Sequence, residues 1–223
     1  MLINLEKVLN ADQLRVVNEL LEGEEFIDGK LSAGVQASRQ KHNQELSGSL
    51  PSVQGVTNLV MGSLIRHSVY LNAGLPRRIA APFYCRYQNG MKYGSHIDDP
   101  IMGQGEPYRS DVAITIFLNS PEEYEGGELE IQTSYGTQKI KCNAGDGVMY
   151  PASSRHQVRE ITKGMRLVAV TWMQSLVPEP DKRELLYQLY QARETLRHDD
   201  PQSVTTQQVE QSYGNLVRMW SRL

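Results

Sequence analysis

The sequence predicts a mainly β core, a β-sandwich or barrel, with helices before and after it. Six short β-rich runs separated by glycine, proline and asparagine fall within residues 79–172, a density typical of sandwiches and barrels. Apolar residues recur at helical spacing on both sides of this stretch. Hydrophobic residues make up 39% of the 223 residues, and no segment is of low complexity, so disordered and fibrous classes are excluded.

The N-terminal part predicts two amphipathic helices. In residues 10–21 leucine and valine recur at helical spacing, and Asn10 with Gln13 forms a capping-box pattern. Residues 29–52 are polar and lack periodicity, whereas valines and leucines in residues 53–74 indicate a second helix. We expect both helices to pack outside the main sheet.

The central part predicts the strands of the core. Two glycine-containing segments, Gly126-Gly127 and Gly145-Asp146-Gly147, are expected to be tight turns between strands. The predicted strands are Ile79–Tyr87, Asp111–Leu118, Glu128–Thr133, Gln138–Cys142, Gly147–Tyr150 and Arg166–Trp172.

Two prolines, Pro178 and Pro180, end the β pattern, and helical spacing then returns in two stretches. In the second stretch Leu216, Val217 and Trp220 form an apolar stripe that must be buried. Intramolecular packing is the favoured interpretation, with a homodimer contact as the alternative, so the oligomeric state stays open.

Charge, hydropathy and cysteine content limit the kinds of partner and the redox state that we expect. The 23 basic and 26 acidic residues lack the positive excess that phosphate-backbone binding requires, so nucleic acid is not expected as the main partner. No apolar run approaches the roughly 20 residues that span a bilayer, and we expect a soluble, unexported, cytoplasmic chain without a membrane partner. Cys85 and Cys142 lack the spacing of zinc or redox motifs and are expected to be reduced thiols.

His96, Asp98 and His156 are the candidate metal ligands. In an extended chain positions i and i+2 point to the same face, so His96 and Asp98 converge. That pair alone is weak evidence, and His156, downstream of several strands, supplies the third donor. Two histidines and one carboxylate with open coordination positions indicate non-haem Fe(II) oxygenase chemistry, while a three-ligand hydrolytic zinc site stays open.

The other three histidines belong to no recognisable constellation. His42 lies in a polar loop, His67 inside the second predicted helix, and His198 beside two aspartates. Each is interpreted as an ordinary surface or packing residue.

Arg166 stands ten positions after His156, at the start of the apolar strand that ends the predicted core. The intervening turn returns the chain beside the His156 strand, so the guanidinium can point into the same barrel. Its planar fork suits bidentate binding of a carboxylate.

These residues resemble a known signature. His96-Ile97-Asp98, His156 and Arg166 are similar to the iron and 2-oxoglutarate motif of prolyl 4-hydroxylase-like dioxygenases. The segments 124–129 (YEGGEL) and 145–151 (GDGVMYP), with the terminal helical stretches, more closely resemble the bacterial PKHD-type hydroxylases.

The resemblance implies three regions. They are an N-terminal helical and strand support region (1–77), a dioxygenase core (78–178) and a C-terminal helical region (179–223). The core is then expected to be a double-stranded β-helix, or jelly roll, with the iron at its open end.

The resemblance also implies the chemistry. Fe(II) would be held by His96, Asp98 and His156, and 2-oxoglutarate would be anchored through its distal carboxylate by Arg166. Dioxygen would be consumed, a C–H bond hydroxylated, and succinate and CO2 released. L-Ascorbate is the expected reductant, the substrate would be amino-acid-like, peptidyl (prolyl included) or siderophore-related, and a setting in iron-uptake physiology is suggested.

Residues near the motif receive weaker assignments. Related hydroxylases place tyrosines on the strand that leads to the first histidine; Tyr87 is therefore the preferred cosubstrate contact and Tyr93 the alternative. Thr171 and Trp172 are expected to be core residues. The segment 102–111 is expected to be either a mobile substrate lid or a plain crossover.

Two competing functions remain. A non-catalytic jelly roll that binds or senses iron would share the metal ligands but would have no use for an anchor such as Arg166. A nucleic-acid demethylase is disfavoured because residues 167–172 contain no second arginine and the net charge is −3.

Overall fold

The structure is a computed structural model that describes residues 1–32, 34, 38–47, 51–103 and 105–223. Its α-helices are α1 (Ala11–Leu21), α2 (Pro51–Leu64), α3 (Ser68–Gly74), α4 (Pro180–Asp199) and α5 (Val204–Trp220). Short 3₁₀ helices lie at Gly29–Ser32 and Pro121–Glu123. The strands are β1 (Ile3–Leu5), β2 (Phe26–Asp28), β3 (Lys41–His42), β4 (Gln44–Leu46), β5 (Pro76–Ile79), β6 (Phe83–Tyr87), β7 (Lys92–His96), β8 (Ile101–Met102), β9 (Tyr108–Arg109), β10 (Val112–Phe117), β11 (Tyr124–Gly126), β12 (Leu129–Thr133), β13 (Gly136–Ile140), β14 (Gly147–Pro151), β15 (His156–Val158), β16 (Ile161–Gly164) and β17 (Arg166–Ser175).

Two antiparallel sheets form the core. The larger has the order β1-β14-β10-β17-β6-β4-β2, with β5 paired to β17, and the smaller has the order β13-β12-β15-β7-β3. Two further pairs, β11-β16 and β8-β9, stand beside them. This arrangement is a mainly β fold with flanking helices, and its core is the double-stranded β-helix that the resemblance implies.

Both faces of the larger sheet carry apolar side chains, because the helices cover one face and the smaller sheet covers the other. On β10, Ala113 and Phe117 face the smaller sheet, whereas Ile114 and Ile116 face the helices. The outer layer contains Val17 of α1 and apolar side chains of α2. The expectation that the N-terminal helices pack outside the main sheet is therefore confirmed.

Helix α1 begins as the capping box predicts. The Asn10 side chain accepts the backbone N–H of Gln13 at 2.9 Å, and the Gln13 side chain accepts the backbone N–H of Asn10 at 2.9 Å. This reciprocal pairing satisfies donors that a helix start otherwise leaves without partners.

The second predicted helix is two helices, and the placement of His67 inside a helix is wrong. The chain breaks between α2 and α3, and His67 is the N-cap of α3, with its Nδ1 accepting the backbone N–H of Tyr70 at 3.4 Å. Its Nε2 lies 2.9 Å from the carbonyl oxygen of Glu6. The apolar spacing continues across the break, which is why periodicity alone did not reveal it.

The polar segment 29–52 contributes two strands that sequence patterning missed. Strand β3 pairs with β7 of the smaller sheet, and β4 pairs with β6 of the larger one. Their inward residues are polar, so no alternation of apolar and polar residues marked them as strands. The chain therefore crosses between the two sheets at this edge.

Two further predictions concern the cysteines and the membrane. Cys85 on β6 and Cys142 after β13 are both free thiols, as expected. Among the described residues, none of the helices combines the length and apolar character needed to cross a bilayer.

Candidate metal centre

A cavity of about 730 Å³ opens between the two sheets. The larger sheet contributes Tyr87 and Arg166, and the smaller contributes His96 and His156. Asp98 also lines this cavity. Every residue that the sequence assigned to metal or cosubstrate binding therefore faces the same space.

The three candidate ligands converge. His96 ends β7, His156 begins β15, and these two residues are paired across the strands. Asp98 follows β7, and its Oδ1 lies 3.9 Å from Nε2 of His96 and 3.7 Å from Nε2 of His156. The three ligand atoms all lie within 4.8 Å of one another, a spacing that one cation can bridge.

Backbone carbonyls orient both imidazoles. Nδ1 of His96 lies 2.8 Å from the carbonyl oxygen of Gly94, and Nδ1 of His156 lies 2.9 Å from that of Ser154. Because a carbonyl only accepts, each Nδ1 carries the hydrogen and each Nε2 presents a lone pair to the site. This is the arrangement by which metal-bound histidines are usually held.

The electrostatics of His96 favour the neutral ring. Burial, followed by the charge of His156, lowers the pKa of His96 to about 4. The neutral imidazole is the form that coordinates metal, so the site needs no deprotonation of this ring at neutral pH.

Trp172 fixes the carboxylate of Asp98. Its indole Nε1 donates to Oδ2 of Asp98 at 2.9 Å, which leaves Oδ1 facing the two histidines. Burial raises the pKa of Asp98, whereas His156 and the Trp172 hydrogen bond oppose that rise. The expectation that Trp172 is only a core residue missed this contact, although alternation along β17 puts it on the same face as Arg166.

Arg166 is almost completely buried, with 1% of its surface exposed. Among the described residues it forms no ion pair with a carboxylate, and its Nε lacks a hydrogen-bond partner there. The rings of Tyr87 and Phe117 lie 5.2 and 5.4 Å from its Cζ. A buried guanidinium without a counter-charge is unfavourable, so this pocket is complementary to a carboxylate that enters from outside the chain.

Tyr124 was not identified from the sequence, and it lies beside Arg166. Its hydroxyl is buried. Burial raises the pKa of Tyr124, while the charge of Arg166 and a hydrogen bond between the two side chains oppose that rise. The hydroxyl is therefore protonated and interacts with the guanidinium. A Cβ added at Gly127 would lie 3.1 Å from the Tyr124 ring and 3.2 Å from Cδ of Arg166, so this glycine lets both side chains approach.

The two tyrosines that were considered for the cosubstrate lie in different parts of the cavity. Tyr87 is paired with Arg166 across β6 and β17, and burial raises its pKa. Tyr93 stacks on the imidazole of His96, a candidate metal ligand, with ring centroids 3.7 Å apart. The preference for Tyr87 as the cosubstrate contact stays a prediction, supported by its position beside the guanidinium.

The other three histidines lie away from the candidate metal centre. His67 caps a helix, while His42 and His198 are exposed on β3 and α4. The expected lid contains the β8-β9 hairpin, of which Met102 and Gly103 line the cavity. Whether this hairpin moves stays a prediction.

The donor set fits a ferrous ion. Two imidazole nitrogens with free lone pairs and one carboxylate oxygen face one point, and the cavity leaves room for further ligands. A buried arginine without an acid partner fits the distal carboxylate of a dicarboxylic keto acid in the same cavity. No thiol joins this group among the residues that the structure describes, so the set is unlike a closed structural zinc site.

Comparisons with known proteins agree with this geometry. The profile of the 2OG-Fe(II) oxygenase superfamily matches residues 82–174. The chain is 45% identical to a PKHD-type hydroxylase of Thioalkalivibrio sulfidiphilus, covering 99% of both chains, and 36% identical to one of Paraburkholderia xenovorans, again covering 99% of both. Among solved structures, it is similar to a Pseudomonas putida prolyl-4-hydroxylase, with a TM-score of 0.54 and 19% identity, covering 78% of this chain and 92% of that one. It is also similar to a Trichoplax adhaerens prolyl hydroxylase in complex with a peptide fragment, with a TM-score of 0.57 and 17% identity, covering 83% and 86%.

Proposed function

Since this chain belongs to the PKHD-type hydroxylases of the 2OG-Fe(II) oxygenase superfamily and is an Fe(II)- and 2-oxoglutarate-dependent hydroxylase, we propose that it hydroxylates a C–H bond of an amino-acid-like, peptidyl or siderophore-related substrate. The balanced reaction consumes the substrate, 2-oxoglutarate and dioxygen and yields the hydroxylated product, succinate and CO2. Bound Fe(II) supplies the dioxygen activation that couples the decarboxylation to the hydroxylation.

In this proposal His96, Asp98 and His156 hold the metal. The carbonyls of Gly94 and Ser154 fix the tautomers of the two histidines, which keeps their Nε2 atoms available. The indole of Trp172 holds the carboxylate, so the three donors are positioned before the metal binds.

Arg166 binds the distal carboxylate of 2-oxoglutarate, with Tyr87 beside it in the cavity and Tyr124 holding the guanidinium. The observation that carries this role is the burial of the guanidinium without an acid partner in the described chain. An unpaired buried charge destabilises the fold, and a protein that only bound or sensed iron would have no use for it. The catalytic function is therefore favoured.

The cavity mouth supports a partly apolar substrate. Phe83, Ile97 and Ile101 line the cavity with exposed side chains. Such a rim, next to the metal, also excludes water when a substrate covers it. The peptide bound to the Trichoplax relative makes a peptidyl substrate reasonable, whereas the siderophore-related substrate, the iron-uptake setting and ascorbate as reductant rest on the family resemblance.

The proposal places the protein in the cytoplasm. The two free thiols, Cys85 and Cys142, support a reducing compartment. Leu216, Val217 and Trp220 are half-buried within the chain itself, which supports the favoured intramolecular packing; a homodimer contact stays the alternative.

Succinate formation tests the function. Purified protein with Fe(II), ascorbate and 2-oxoglutarate is expected to release succinate, and prolyl peptides, free amino acids and siderophores are then screened for stimulation. His96→Ala is expected to lose metal binding and turnover, while Arg166→Ala is expected to keep the metal and lose 2-oxoglutarate affinity. A metal-loaded protein that does not bind 2-oxoglutarate would contradict the proposal and favour the non-catalytic alternative.

A further inference from the structure

The cavity contains a second arginine that the metal and cosubstrate roles do not use. Arg78 of β5 lines the same cavity as the candidate metal ligands. Its side chain is 39% exposed, whereas Arg166 is 1% exposed. One guanidinium therefore lies at the solvent side of the cavity and the other at its buried end.

The strand register directs Arg78 toward the cavity. Arg78 is paired with Gln174 of β17. In the next pair, Ile79 and Met173 both pack into the apolar cluster that contacts the helices. Because neighbouring residues of a strand face opposite sides, the Arg78 side chain faces the cavity. Trp172, two residues before Gln174, is on this same face and donates to a candidate metal ligand.

Distances along β17 separate Arg78 from the proposed cosubstrate site. Arg166 begins this strand, and Gln174, the partner of Arg78, lies eight residues further on. At about 3.3 Å per residue this is roughly 26 Å, far longer than 2-oxoglutarate, so Arg78 is not a second anchor for the same ligand. Trp172 is only about 7 Å from Gln174 along the strand. Arg78 is therefore placed beyond the metal, on the side from which a substrate enters.

The hydrogen-bond donors of Arg78 are not used by the protein. Its guanidinium forms no hydrogen bond within the described ranges; its one ion pair there, at 3.6 Å, is with Glu106, whose side chain is 89% exposed. Such an exposed pair is weak. The ring of Tyr108 lies 5.3 Å from Cζ and attracts the cation without accepting its in-plane N–H groups. Arg109 differs, because it donates twice to Asp111, at 2.6 and 2.9 Å. The Arg78 fork can therefore accept a carboxylate from outside the chain.

We propose that Arg78 binds the α-carboxylate of the substrate, which is an apolar amino acid, either free or at the C-terminus of a peptide. The inference rests on the proposed function, since it places the substrate of that reaction. The planar guanidinium matches the two oxygens of a carboxylate. Phe83, which is 42% exposed and packs edge-on against Trp172 with ring centroids 5.9 Å apart, offers an apolar surface in the same cavity. Asp99 also lines the cavity and suits the ammonium group of a free amino acid, so the test separates the two sources.

The probes are the common L-amino acids, their N-acetyl derivatives as mimics of a peptide C-terminus, and the carboxamides of both sets. At least one apolar carboxylate is expected to bind the Co(II)- and 2-oxoglutarate-loaded protein in calorimetry and to stimulate succinate release by the Fe(II) enzyme. Its carboxamide is expected to bind at least about tenfold more weakly. Binding of the free amino acid alone identifies that source, and binding of the N-acetyl derivative identifies a peptide C-terminus.

The variants test the side chain. Arg78→Met keeps much of the apolar stem and is expected to weaken carboxylate binding at least about tenfold, to remove the preference over the carboxamide and to keep 2-oxoglutarate affinity. Arg78→Lys keeps the charge without the fork and is expected to lie between the two. Arg77→Met is the matched control, because Arg77 precedes Arg78 on β5, is exposed on the opposite face and donates to the carbonyl oxygen of Arg222 at 3.5 Å. It is expected to keep both the affinity and the preference.

Four results would overturn the proposal. They are binding of none of the carboxylates, binding of the carboxamides as tight as that of the carboxylates, an unchanged preference in Arg78→Met, and an equal loss in Arg77→Met. In each case 2-oxoglutarate binding by the same preparation shows whether the proposed function itself still stands.

Discussion

Replacing Arg166 by methionine is expected to remove 2-oxoglutarate binding without damaging the fold. Methionine keeps much of the apolar stem and deletes a buried charge that has no acid partner in the described residues. Removing such a charge is neutral or stabilising for the free protein, so the ligand-free melting temperature is expected to hold or rise.

The loss of affinity follows from the hydrogen bonds that a guanidinium makes to a carboxylate. Each charge-assisted bond contributes about 1.5–3 kcal/mol, and a bidentate pair therefore contributes about 3–6 kcal/mol. At about 1.4 kcal/mol per tenfold, Arg166→Met is expected to weaken 2-oxoglutarate binding at least about 100-fold.

Thermal unfolding of the Co(II)-loaded protein measures this difference. At 2-oxoglutarate concentrations of about 100 times the unchanged protein's Kd, the ligand stabilises the fold by about 2.7 kcal/mol, which raises the melting temperature by roughly 5–10 °C. For Arg166→Met the same concentration only equals a Kd that is 100-fold weaker, so the stabilisation falls to about 0.4 kcal/mol and the shift to about 1 °C.

A second buried arginine serves as the matched control. Arg183 is 2% exposed, but its Nη1 donates to the carbonyl oxygens of Val177 and Pro178, each at 2.7 Å. Arg183→Met is therefore expected to lower the melting temperature of the free protein and to keep the full response to 2-oxoglutarate. A full ligand response in Arg166→Met, or its loss in both variants, would refute the assignment of Arg166.

Tyr124→Phe removes a buried hydroxyl that interacts with the Arg166 guanidinium, and it is expected to weaken 2-oxoglutarate binding in calorimetry about tenfold by loosening that guanidinium; equal affinity would contradict this positioning role. Trp172→Phe deletes the donor to Asp98 and is expected to reduce Co(II) affinity by about tenfold or more, whereas unchanged metal affinity would argue that the contact is only packing. Burial raises the pKa of Cys85 to about 12 from an ordinary value of 9, so the native state retains a proton that the unfolded state loses. The stabilisation from this thiol is thus complete below pH about 9 and declines above it by up to about 1.4 kcal/mol per pH unit. In urea unfolding between pH about 8 and about 10.5, the free energy of unfolding of Cys85→Ala is expected to decline less steeply with pH than that of the unchanged protein.

Patterns of short range along the chain predicted six strands of the core, β6, β10, β12, β13, β14 and β17, and the first helix. The capping box at Asn10 and the apolar runs after Pro76 depend on neighbours along the chain, which a sequence displays directly. The break at His67 and the strands β3 and β4 were missed for a related reason. In those places the local pattern was continuous or polar, and pairing with distant segments decided the structure.

The sequence by itself identified the side chains that meet in the candidate site, because a His-x-Asp pair, a distant histidine and a strand-initial arginine together supply the donors that this chemistry needs. Only the tertiary structure decided what surrounds them. The indole of Trp172 on Asp98 and the position of Tyr124 beside Arg166 each depend on side chains from separate segments of the chain that meet in space. Hydrogen bonding is a matter of distance and burial in space, and separation along the chain carries almost no information about either.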